Sequence, residues 1–177
     1  PQPAIAEGSL PLASNTAVRF FLHHIDGVYS TTPEVLRIRG VPDEPPSITT
    51  SLTGVGNAVT RLARVPVTGT ITDDYGIQTA QFQFHVDDES QWRPRPFRNS
   101  PPAGVTEFDL QRTEAEAFEV FDLQPLDLSE GQSLTLTVTA TDSNDLTGPG
   151  QSRGEPIVLR VVTNEELLSL LYTREIN

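Results

Sequence analysis

Ser133–Asp145 reads SLTLTVTATDSND, and this stretch decides the fold. Leu134, Leu136, Val138 and Ala140 alternate with Thr135, Thr137 and Thr139. A period of two places the aliphatic set on one face, so the stretch predicts a strand with a buried side and a polar outward side. A Gly/Pro loop follows, and then a second apolar run, Pro156-Ile-Val-Leu-Arg-Val-Val162. Together they read as two neighbouring strands of an all-β domain.

The same plan recurs near the start of the chain. Laying Leu10–Asp26 on Leu126–Asp142 without gaps brings Leu12 onto Leu128, Val18 onto Leu134, Phe20 onto Leu136, Leu22 onto Val138 and Asp26 onto Asp142. After a loop of different length, Val35-Leu-Arg-Ile38 falls on Val158-Leu-Arg-Val161. This predicts an internal repeat of turn, long strand, Asp-containing loop and strand. The competing reading is two unrelated hairpins. On the repeat reading, residues 1–44 are the closing strands of a preceding unit, and His24 faces inward where Ala140 does. Phe21, His23 and Ile25 then form an apolar outward row that packing must cover, since a lone hairpin is marginal in water.

Val41-Pro-Asp-Glu-Pro-Pro46 reads as a stiff, extended linker. A complete unit over 45–163 follows. Ile48–Leu52 is its first strand, Ser51–Arg61 a Gly-containing loop, and Val65–Thr72 a strand with Val65, Val67 and Ile71 inward. Asp73-Asp-Tyr-Gly76 has the chemistry of a turn. Ala80, Phe82, Phe84 and Val86 mark the next strand, and Asp87–Gly104 reads as irregular. Val105–Leu110 is a short strand, with a helical turn over Arg112–Ala117 as the alternative, and Phe118–Leu123 is a further strand. Thr163-Asn-Glu-Glu166 matches a capping box ahead of Leu167, Leu168, Leu170 and Leu171, so 164–177 begins a helix. Short strands at this spacing predict an immunoglobulin-like (Greek-key) β-sandwich.

Composition agrees and narrows the chemistry. The 15 Pro and 12 Gly suit turns between short strands and oppose a helical bundle. A net charge of −12 disfavours nucleic acid and anionic lipid as partners. All 12 cationic residues are Arg, so lysine Schiff-base chemistry is excluded. No Cys means no disulfide, thiolate nucleophile or Cys metal site. No apolar run approaches a membrane span, so direct membrane insertion is not expected. The absence of Met and the leucine-rich C-terminal helix are what a piece of a longer polypeptide would show.

The runs VPVTGTITDDYGI (65–77), LTVTATDSND (136–145) and PIVLRVVTNEELL (156–168) carry a resemblance. Across about 45–172 the chain resembles Ig- and cadherin-like repeat segments of large membrane-anchored envelope proteins of planctomycete-type bacteria. The resemblance implies a sandwich fold and a location in the cell envelope, periplasmic or extracellular, anchored through other regions. It implies no activity.

Three groups of residues are candidates for chemistry. Asp73, Asp74, Asp142, Asn144 and Asp145 sit in two loops that a Greek key can bring to one end. Such oxygen-rich turns suit Ca²⁺, and cadherin-like repeats place calcium with residues matching Asp142, Asn144 and Asp145; turn-capping is the competing role. Trp92, Arg93, Arg95 and Arg98 form a cationic–aromatic cluster suited to a glycan or protein partner. Its competing role is a Pro-stiffened edge strand whose Trp covers the core. His23, His24 and His85 have no metal-site spacing. With no nucleophile elbow, phosphate loop, dinucleotide fingerprint or HExxH, no enzyme is expected. The expectation is a non-catalytic spacer or protein-interaction module whose partners are other proteins or neighbouring domains of the same polypeptide. The alternative is a ligand-binding module using the Trp92 loop or Ca²⁺, with no other cofactor.

Overall fold

The computed structural model describes residues 7–9, 15–54, 56–111 and 119–175. Leu10 and Leu12 of the repeat, the Arg112–Ala117 segment and Phe118 lie outside the described residues. The chain divides into two compact units, Pro1–Pro42 and Asp43–Asn177, and the division falls inside the Pro-rich linker.

The first unit is a hairpin of β1 (Thr16–Phe20) and β2 (Glu34–Ile38), antiparallel with Val18 opposite Leu36 and Phe20 opposite Glu34. β1 stops at Phe20, earlier than the repeat predicts. Beyond it the chain reverses, with the His24 N–H donating to Val28 O, the Gly27 N–H to His24 O, and a bridge between His23 and Tyr29. The early turn corrects two expectations. Phe21, His23 and Ile25 do not form one strand face, and His24 is exposed and bonded to the exposed Asp26 rather than turned inward.

The second unit is predominantly β. It runs β3 (Ser47–Leu52), β4 (Ala58–Val59), β5 (Arg64–Val86), β6 (Arg93–Pro96), β7 (Val105–Asp109), β8 (Glu119–Asp122), β9 (Ser133–Asp142), β10 (Gln151–Arg153), β11 (Ile157–Val161) and α1 (Asn164–Glu175). β5 is the organising element: 23 residues without a break. Its first half pairs with β3 on one side and with β8 and β7 on the other. Its second half pairs with β6 on one side and β9 on the other. β9 continues to β11 and β10, and β11 takes β4 as a parallel neighbour. The hydrogen-bonded strands therefore fold on β5 into two packed layers.

The stretch Asp73–Gly76 is a bulge within β5 and not the turn the sequence suggests. The Asp73 carboxylate accepts from the N–H groups of Tyr75 and Gly76, as in a turn, but the strand goes on. Ile77 then pairs with Val105 of β7 and with Asp142 of β9, which marks the hand-over between layers. Gly76 is required there: its φ is 110°, and a Cβ would lie 2.7 Å from the Gly104 carbonyl oxygen.

Between the layers lie Val65, Val67, Ile71, Phe82, Phe84, Leu134, Leu136, Val138, Leu159 and Val161, inward as their alternation requires. Phe121 of β8 meets Phe82 and Phe84 of β5 edge-on at centroid distances of 5.5 and 5.3 Å. Phe97 closes on Phe82 at 4.7 Å. β6 is an ordered edge strand where the sequence reads as irregular. Pro94 and Pro96 fit an edge because neither has an N–H to donate.

The outward row of β9 departs from expectation, since Thr137 and Thr139 are buried. Arg153 of β10 stands opposite Thr139, and its guanidinium donates to Gln83 Oε1 on β5, so the arm crosses the threonine row. Thr137 Oγ1 donates to the Gly154 carbonyl at 2.7 Å and is thereby satisfied. At the C-terminal end, the Glu166 N–H donates to Thr163 Oγ1 at 3.0 Å, the cap the sequence predicts. The Glu166 carboxylate turns to Arg160 on β11. No helix among the described residues is long and apolar enough to cross a membrane.

Candidate functional site

The two acidic loops do meet at one end of the second unit. The Ser143 N–H donates to the Gly76 carbonyl at 2.8 Å, joining the β5 bulge to the end of β9. Most of the oxygens there hold backbone. Asp142 is fully buried, its Oδ1 accepting from the N–H groups of Asn144 and Gly150 at 3.0 Å each and its Oδ2 from Gly150 at 2.9 Å. Asn144 Oδ1 accepts from the N–H groups of Leu146 and Thr147. Asp73 holds the bulge, while Asp74 and Asp145 are exposed.

One member of this group was not legible from the loops: Asp43, in the linker. Its Oδ2 accepts from Asn144 Nδ2 at 2.7 Å. Burial lifts its carboxyl above the usual carboxylate range. The Asn144 hydrogen bond opposes that shift, and repulsion from Asp142, Asp74 and Asp73 adds to it. Asp43 Oδ1 and Asp73 Oδ1 are both buried without a hydrogen-bond partner. The acidic, proline-flanked linker Val41–Pro46 was the signal that would have found Asp43. Among the described residues, no group of three or more His, Cys, Asp and Glu side chains is arranged to hold a metal ion.

The cationic–aromatic cluster separates into distinct roles. Arg95 is half-buried, its guanidinium 4.2 Å from the Phe121 ring centroid and 5.2 Å from that of Phe84, and it donates to the Asp122 carbonyl at 2.6 Å. Desolvation holds its pKa below the ordinary arginine value. Arg93 lies 4.8 Å from the Phe84 centroid and pairs with Glu89 at 3.0 Å. These two arginines roof the aromatic core at the β6 edge. Arg98 is exposed, and its N–H and that of Asn99 donate to the buried Glu119 carboxylate at 3.0 and 2.9 Å.

Trp92 is half-buried. Its indole meets the His85 ring at 4.6 Å and carries the Arg153 guanidinium 4.3 Å from its centroid. One face of the indole is therefore already occupied by a cation from β10. Around this cluster, as with Asp43 at the acidic end, sequence reasoning missed Arg153 and Glu119. Each acts across the fold on a segment distant in the chain, and no local pattern marks either.

A groove of about 520 Å³ runs between the Gly56–Ala58 segment and Leu167, Leu170 and Leu171 of α1. Its lining offers apolar surface and two polar side chains, Asn57 and Thr173, with no titratable group. No protein-family model matches the chain, and no curated protein matches it either.

Proposed function

We propose that the chain is a non-catalytic structural module, a spacer or protein-interaction segment of a multidomain protein of the bacterial envelope, built from repeated immunoglobulin-like sandwich units. The observation that carries this reading is the hairpin register. Val18 faces Leu36 as Leu134 faces Leu159, so the segments aligned by sequence also pair alike. The layer orders support the immunoglobulin-like assignment: β3, β5 and β8 in one layer, and β6, β5, β9 and β11 in the other, with β4 switching to lie parallel to β11. The envelope location rests on the sequence resemblance alone. The test replaces residues 45–163 of the full-length protein with an unrelated sandwich of equal span. A spacer tolerates the exchange with the cellular phenotype unchanged; loss of the phenotype overturns the reading.

A second reading, Ca²⁺ at the acidic end, is favoured by the two orphaned oxygens of Asp43 and Asp73. A thermal melt with and without millimolar Ca²⁺ decides it, and an unmoved midpoint removes it. The glycan alternative at Trp92 has one indole face already taken by Arg153, and glycan binding that survives Trp92→Ala would dismiss that site.

A further inference from the structure

The hairpin β1–β2 can be compared position by position with β9–β11, because four consecutive cross-strand pairs correspond. Ala17–Arg37, Val18–Leu36, Arg19–Val35 and Phe20–Glu34 match Ser133–Arg160, Leu134–Leu159, Thr135–Val158 and Leu136–Ile157. Directly opposed side chains of an antiparallel pair share a face. One face thus holds Arg19, Val35 and Arg37 in the first hairpin, and Thr135, Val158 and Arg160 in the second. Solvent treats these alike, with Val35 at 45% and Val158 at 52% exposure. The other face holds Val18, Phe20, Leu36 and Ile38, with Thr16 and Glu34 at its ends, against Leu134, Leu136, Leu159 and Val161, with Ile157 in the place of Glu34. Here the hairpins diverge. Leu134, Leu136, Leu159 and Val161 are 0–1% exposed, whereas Phe20 is 48% and Leu36 50% exposed and Val18 and Ile38 are half-buried.

In the second unit the inward face of β9–β11 is covered by the layer built on the first half of β5, with Val65, Val67 and Ile71 pointing into the core and Phe121 of β8 beside them. The covering strands lie between Ser47 and Asp122, all ahead of β9 in the chain. Resting on the repeat reading above, we propose that the face Val18–Phe20–Leu36–Ile38 is the seat of an apolar β-sheet of this same build. Its occupant is a segment comparable to Ser47–Asp122, carried by the polypeptide ahead of residue 1. This partly exposed face is then half of a sandwich core with Glu34 at its margin, and its partner is recognised by aliphatic and aromatic side chains on a matching pleat.

The test compares the 177-residue chain with the same chain extended by about one hundred residues of its natural N-terminal sequence. Hydrogen exchange is read by mass spectrometry at 16–20 and 34–38. The extension is expected to slow exchange there by about a hundredfold or more, and to lower binding of an apolar dye. In the extended chain, Leu36→Asp abolishes the protection, whereas Arg37→Glu on the opposite face keeps it, and exchange over 134–138 is unchanged in both. Equal exchange with and without the extension overturns the proposal. So does protection gained by the shorter chain on concentration-dependent dimerisation, which would make a second copy the occupant. Neither outcome touches the spacer reading, which the replacement of 45–163 decides separately.

Discussion

Truncating Phe121 to Ala is the sharpest test of how the two layers close. The side chain is fully buried and makes two edge-on ring contacts, with Phe82 and Phe84. The Arg95 guanidinium rests on the same ring at 4.2 Å. Removing a buried Phe costs about 3–5 kcal/mol through lost transfer energy and the cavity left behind. Each aromatic pair adds roughly 0.5–1.5 kcal/mol beyond area, and Arg95 keeps its desolvation while losing its ring, so the upper end, about 5 kcal/mol, applies. At a urea m-value of about 2 kcal/mol/M, that lowers the midpoint by roughly 2.5 M. Trp92, the single tryptophan, lies in this unit and reports the transition by fluorescence. Phe121→Leu, which keeps most of the volume but no ring, is expected to cost only about 1–2 kcal/mol. A midpoint shift under about 0.5 M for Phe121→Ala would refute the packing of β8 on the second half of β5.

Gly69 has φ 146°, and a Cβ there would lie 2.0 Å from the Thr49 carbonyl oxygen of β3. Gly69→Ala should therefore cost at least about 2 kcal/mol and lower the melting temperature by roughly 6–10 °C; an unchanged melt contradicts the β3–β5 register. Asp43 binds its proton more tightly folded than unfolded, so its charge weakens the fold as pH rises through the raised value. Asp43→Asn, which keeps an acceptor for Asn144, should be more stable than the parent at pH 7, with the gain vanishing below pH about 4; a loss at pH 7 counts against the buried environment. Asp87 is the opposite case: the Ser133 N–H and then the Gln132 amide hold its carboxyl below the usual range, against the opposing pull of desolvation. Its stabilisation is present above pH about 4 and is lost as pH falls through the lowered value. Asp87→Asn should thus flatten the acid limb of a stability profile, and an unaltered limb speaks against the bond.

Alternation made the strands readable because burial of one face is a local property of the sequence. Leu134 to Ala140 and Ala80 to Val86 are inward as their spacing demands. What could not be read depends on pairing between distant segments. Asp73 and Gly76 carry turn chemistry whether the chain reverses or only bulges, and it is β7 and β9 on either side of Ile77 that keep β5 going. Thr137 and Thr139 look like solvent positions until Arg153 is laid across them. Of the candidate sites, the meeting of the two acidic loops was legible. The share of Asp43 in it was not, nor was the splitting of the arginine cluster into roof and surface members. Those roles are fixed by rings and carbonyls contributed from β8.

The parallel contact of β4 with β11 has a mechanical consequence. It spans only two register pairs, Ala58 with Arg160 and Val59 with Val161, and main-chain bonds from the Arg160 N–H to Asn57 O and from the Val162 N–H to Val59 O lie at its two ends. Because the strands run the same way, traction arriving through residue 57 and traction arriving through residue 162 drag them past each other lengthwise. Its rungs then bear the load together instead of parting one after the other. With only two register pairs, the clasp yields early, and β4 slips free while the wide β5–β9 ladder still holds.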